Sequence, residues 1–210
     1  MIEYLHFAPI ASFIFAITLI TSIMTFSNPE WFGKLMFHPY SVHRNHKAYT
    51  MITSGLIHRD YMHLIFNMLS FFWFAFTLEA TIGHWQFAVL YVASLIISDL
   101  PSLAKHKNDI SYYTLGASGA ISAVVFSFIM YQPMAMMMII PLPIPIPAIL
   151  FGVLYLIYCH YASKYARDHI NHDAHLFGAF AGVAITLILN PSLAPEFIHK
   201  VTEGVRSLLH

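Results

Sequence analysis

Ser118 stands among small residues, Gly116-Ala117-Ser118-Gly119, at the mouth of a long apolar run. Small neighbours let backbone or a substrate come close, and a hydroxyl so placed can attack a carbonyl once a base takes its proton. Histidine is the commonest such base, and His175 opens a later apolar run on the same face as the G-x-x-x-G pair Gly178 and Gly182. Another run carries His58, His63 and Asn67 in its first half, with His63 and Asn67 four positions apart and so on one helix face. The chemistry these types allow is acyl transfer. Ser118 is the nucleophile and His175 the general base. The Ser118 amide at a helix start, with the His63 and Asn67 side chains, supplies donors for the oxyanion. Loss of one such donor costs roughly a hundred- to a thousandfold in rate. The small-residue stretch alone is weak, since such stretches more often serve helix packing. Asp173, two positions before His175, points to the opposite side of a helix and reads as a helix-start charge, which leaves a dyad.

Fourteen histidines raise a competing chemistry. His169, His172 and His175 recur every third residue and, with His58 and His63, could line an ion path or a zinc site. Against this, Asp60 is the only carboxylate near the histidines of the second run, no thiolate is close in sequence, and residues 169–172 read as a wet loop. Metal conduction would also leave Gly116-Ala117-Ser118-Gly119 without a role. No metal ligand is assigned.

The elements that must position these side chains are read from composition and hydropathy. The chain is 58% apolar and only 10% charged, with a mean hydropathy of +0.65, where soluble domains carry about 25% charged residues. It is an integral membrane protein. Ten basic and ten acidic residues cancel, which excludes nucleic acid and a polybasic lipid anchor as partners held by bulk charge. The single cysteine, Cys159, cannot form an internal disulfide.

Six apolar runs, residues 7–26, 57–80, 85–100, 116–131, 148–161 and 174–189, predict six crossings and one all-α domain over residues 1–210. The first is long enough to span and is read as retained rather than as a signal peptide. Between the first two runs, aromatics such as Trp31, Phe37 and Tyr40 interleave with Lys34, His38 and Arg44, the pattern of an interfacial segment or of a loop with anchoring aromatics. Thr81-Ile82-Gly83-His84 reads as a link, Asp99 and Pro101 as the close of the third run, and residues 134–147, with Pro141, Pro143, Pro145 and Pro147, as an apolar loop. Runs two, four and six enter from the same side. Their first turns, with His58, His63, Asn67, Ser118 and His175, therefore meet in one half of the membrane.

With these motifs in order, the chain resembles the rhomboid family of intramembrane serine proteases over most of its length. The residues that carry the resemblance are His58-(x4)-His63-(x3)-Asn67, Gly116-Ala117-Ser118-Gly119 and Ala174-His175-(x2)-Gly178-(x3)-Gly182, with Glu79 and Gly83 at the end of the second run. The resemblance implies a six-helix bundle around a water-filled cavity in the lipid bilayer, cleaving single-span membrane proteins within or beside their transmembrane helices without a cofactor. It implies Ser118 as nucleophile, His175 as base, His63 and Asn67 in the oxyanion hole, and Gly116, Ala117 and His58 beside them in substrate binding.

Ala48-Tyr49-Thr50 stands where members often have Trp-Arg, and Ser122 where many have a tyrosine that packs on the catalytic histidine. The count of Lys and Arg puts the reactive face in the cytoplasm, with Lys34, Arg44, Lys47, Arg59, Lys105, Lys107, Lys164 and Arg167 on its side against Lys200 and Arg206. The resemblance to bacterial members implies the reverse, an active site on the extracytoplasmic side of the cytoplasmic membrane. The alternative class is a non-catalytic membrane protein, either a histidine-lined metal transporter or a rhomboid-like factor that binds transmembrane helices.

Overall fold

A computed structural model describes residues 6–139, 142–166, 168 and 170–209. Pro141, Arg167 and His169 lie outside these residues. Helix α1 (Pro9–Phe26) begins with a proline and has no side-chain cap of its own. Its free N–H groups, which carry the positive end of the helix dipole, are met instead by Glu79. That fully buried carboxylate accepts from Ile10 N at 3.0 Å and from Ala11 N at 2.6 Å. His84 Nδ1 lies 2.8 Å from the same group.

The connection that follows folds into short helices α2 (Pro29–Leu35), α3 (Pro39–His43) and α4 (Thr50–Thr53). Helix α5 (Tyr61–Ile82) is capped by Asp60, whose carboxylate accepts from His63 N at 2.8 Å. The expected four-residue link shrinks to Gly83 alone, since a backbone at φ +96° turns the chain directly into α6 (His84–His106). That helix also runs through Pro101. Proline removes one ladder hydrogen bond, and the helix continues another turn to Lys105 and His106, cations suited to its C-terminal dipole.

Helix α7 (Ser118–Tyr131) is buried along most of its length. Residues 134–147 are not a loop: β1 (Met136–Ile139) and β2 (Leu142–Pro147) form an antiparallel hairpin pairing Met137 with Ile146 and Met138 with Pro145. Prolines at every second position put all their missing N–H groups on one strand edge, so the other edge stays free to pair. Then come α8 (Ala148–Tyr165), α9 (His172–Leu189) and the amphipathic α10 (Leu193–Leu209).

Four of these helices, α1, α5, α6 and α9, are long and apolar enough to cross a membrane. Helix α7 is apolar but only 14 residues long. The result is a helical membrane bundle with α7 at its centre.

What holds α7 against α9 is the absence of side chains. A Cβ on Gly178 would run into the Gly119 carbonyl, and one on Gly182 into the Ala123 carbonyl. At the far end Thr186 Oγ1 donates to Ser127 Oγ at 2.7 Å.

Three outcomes follow from this packing. Gly182→Val must separate α7 from α9 and should lower stability by about 1–3 kcal/mol, read as a lower Tm in detergent. Glu79→Ala leaves one buried and one part-buried amide unpaired and should cost about 2 kcal/mol or more, whereas Glu79→Gln, which keeps an acceptor oxygen, should cost less. The His63 amide, then the Arg59 guanidinium, hold the Asp60 carboxyl below the usual carboxylate range. A depressed folded pKa means that the cap stabilises fully above the unfolded carboxylate value and is lost as pH falls through the folded one. Acid thermal melts of Asp60→Asn should therefore show a shallower loss of Tm with falling pH than the parent.

Candidate active site

The path into Ser118 is fixed before the helix begins. Phe37 N donates to Thr114 O at 2.9 Å, and Thr114 N returns a bond to Phe37 O at 3.1 Å. Gly116 N then donates to Ser54 O at 2.9 Å. The first connection thus clamps the segment 114–116 through backbone, while Tyr49 Oη, from Ala48-Tyr49-Thr50, donates to Lys34 O at 3.1 Å. Gly116 has φ +112°, in the region that favours glycine. The His63 ring covers it so closely that a Cβ there would lie 2.7 Å from His63 Cε1. Ser118 follows as the first residue of α7, where backbone N–H groups are free of intrahelical partners.

A cavity of about 220 Å³ opens at this point, lined by Asn67 of α5, Ser118 and Ser122 of α7, Phe151 and Tyr155 of α8, and His175 of α9. Asn67, Ser118 and His175, carried on three separate helices, thus share one wall. No hydrogen bond joins Ser118 Oγ to the His175 ring among the described residues, as is common in unliganded sites. His63 sits against Gly116, one turn before Asn67, and its carbonyl accepts from Asn67 Nδ2 at 2.9 Å.

His58 lies elsewhere than the sequence places it. It precedes α5 rather than joining its first turn, because Asp60 starts the helix. It is fully buried, with Nδ1 3.0 Å from Ser22 Oγ of α1 and its ring edge-on to His63 at 4.9 Å. That position is behind His63, not on the cavity. Ala117 is fully buried and its carbonyl accepts from Ile121 N at 2.9 Å. Asp173 is 2.5 Å from Lys105 Nζ, away from the cavity.

Tyr155 was not singled out by sequence. Its ring stacks on His175 with centroids 6.4 Å apart and planes 17° from parallel, and its hydroxyl shares a 2.8 Å hydrogen bond with Ser122. The small residue at 122 thus makes room for a tyrosine from α8. The other surprise is Cys159. Its thiol and the rings of His172 and His175 offer ligand atoms that all lie within 4.8 Å of one another. A second cavity of about 220 Å³, lined by Thr81, Gln86, Tyr131 and Asn190, holds none of the candidate site residues.

The Rhomboid domain family model matches residues 45–192, a span that holds Ser118, His175, His63 and Asn67. A protein of Bacillus subtilis (strain 168) named "Putative rhomboid protease YdcA" is 27% identical over 191 residues, covering 88% of this chain and 90% of that protein. With the match extending over most of the chain, this protein belongs to the rhomboid family of intramembrane proteases.

Proposed function

We propose that this protein is an intramembrane serine endopeptidase that cleaves single-span membrane proteins with a Ser118 and His175 dyad. The observation that carries the reading is the one cavity wall shared by Ser118, His175 and Asn67, with Tyr155 stacked on the imidazole. Ser118 Oγ attacks the scissile carbonyl while His175 takes its proton and returns it to the leaving amine. The developing oxyanion is met by the Ser118 N–H and by the His63 and Asn67 side chains. Water then attacks the acyl-enzyme with His175 again as base. Gly116 presents backbone to the substrate strand, and no cofactor takes part.

Six helices, α1 and α5 to α9, cross the membrane as one domain over residues 1–210. Helix α7, at 14 residues, is about 21 Å long at 1.5 Å per residue, well short of a hydrocarbon core of about 30 Å. Ser118 at its start therefore lies below the membrane surface, where a substrate helix must unwind to reach it. The membrane is a bacterial cytoplasmic one, with the active site on the extracytoplasmic side. Lys34, Arg59 and Lys105, three of the cations that argue otherwise, are each paired with a carboxylate.

Purified protein in detergent or liposomes should cleave a labelled transmembrane reporter. Ser118→Ala and His175→Ala should each lower the rate by about a thousandfold or more, and Asn67→Ala by roughly a hundredfold. A chelator should not lower the wild-type rate. Cleavage by Ser118→Ala at the wild-type rate, or silence of the wild type across several reporters, would sink the reading in favour of a helix-binding factor.

A further inference from the structure

The cluster of Cys159, His172 and His175 has no role in the proposed reaction apart from His175. All three donors are withdrawn from solvent: Cys159 is fully buried, His172 is 4% exposed and His175 is half-buried. The helix contacts that bring His175 to Ser118 also bring the start of α9 beside the last turns of α8, so the thiol of one helix faces two imidazoles of the other.

The protonation pattern of His172 is arranged for coordination. Its Nε2 lies 3.2 Å from both carboxylate oxygens of Asp168, which favours the tautomer with the proton on Nε2. The lone pair then sits on Nδ1, and Nδ1 is a buried nitrogen with no hydrogen-bond partner. A buried acceptor left without a partner is uncommon and costly. A carboxylate on one nitrogen of a histidine that lies beside a thiol and a second imidazole is the outer-shell arrangement of metal-binding histidines.

We propose that Cys159, His172 and His175 form a binding site for a thiophilic divalent ion such as Zn2+, which switches the enzyme off by taking the lone pair of His175. One thiolate and two imidazoles are a soft to borderline donor set that favours zinc over magnesium or calcium. Zinc bonds of about 2.0–2.3 Å put tetrahedral ligand atoms about 3.4–3.8 Å apart, so donors within 4.8 Å need close by only about 1 Å. The thiol gives up its proton to water on binding. A neutral imidazole has one nitrogen lone pair, and an ion that takes it leaves the other nitrogen carrying N–H. Whichever nitrogen the ion takes, His175 can no longer accept the Ser118 proton. The site itself stands on geometry, while the inhibition rests on the serine-protease reading.

The test separates the two. Full-length Ser118→Ala protein in detergent, titrated with Co2+, should develop a thiolate-to-cobalt absorption band that saturates at one ion per chain and is displaced by Zn2+. The band should be absent when Cys159→Ser or His172→Ala is added. No band in the parent, or an equal band with Cys159→Ser, overturns the site.

In the reporter assay, Zn2+ should inhibit the wild type reversibly, with full recovery on adding a chelator. Cys159→Ser should cleave at the metal-free wild-type rate and need roughly tenfold or more Zn2+ for the same inhibition. Equal Zn2+ sensitivity of Cys159→Ser overturns the switch. If the metal-free wild type cleaves nothing, the protease reading and the switch fail together, and the cobalt band still decides the site.

Discussion

The contact between α7 and α9 is the constraint from which the site follows. Inside a bilayer, lipid tails are as apolar as leucine, so helices gain little from burying apolar side chains on one another. They associate where backbones come close. Gly178 and Gly182 let α9 rest on the carbonyls of Gly119 and Ala123, and the same approach leaves room for Ser98 Oγ of α6 beside Gly119. With two helices at that separation, the side chains at their first turns have little freedom in where they lie. Ser118 and His175 are neighbours because the residues a turn further in have nothing between them.

That geometry was legible in the sequence only in part. The small-residue spacing of Gly178 and Gly182 and the polar first turns of three apolar runs predicted the convergence of Ser118, His175 and Asn67, since spacing within one helix fixes which residues share a face. The side chains that come from α8 were not legible. Tyr155 meets Ser122, and Cys159 meets His172, across helix interfaces that no local period encodes. The lack of a thiolate close in sequence argued against a metal site, because ligand spacing is informative only when ligands share a motif. His58 was misplaced by a few residues, since Asp60 was not recognised as the helix cap. The prolines of residues 142–147 were read as breaking a helix, which is true, but their alternation fits a strand edge equally well.

The first connection shows how a serine at a helix start can be positioned chiefly through backbone contacts. Segment 114–116 is held as a short antiparallel bridge to Phe37 and by the Ser54 carbonyl, so its position depends on backbone geometry. His38 reinforces the same bridge by stacking on Tyr113 at 4.2 Å, with Nε2 3.1 Å from Ile110 O. Such a bridge tolerates change in side chains outside Phe37, His38, Tyr113 and Gly116. The connection can therefore vary in sequence while Ser118 stays put.

The Glu79 clamp bears on the order in which the bundle is built. The amides it accepts from lie 69 and 68 residues earlier in the chain, so at about 5–20 residues per second the ribosome needs on the order of 3–14 s to deliver the carboxylate that completes α1. Until then the N-terminus of that helix has no protein acceptor from Glu79 and must keep to water or headgroups. Helix α1 is thus completed by α5, and it can dock there once Glu79 has emerged, before α7 and α9 are synthesised.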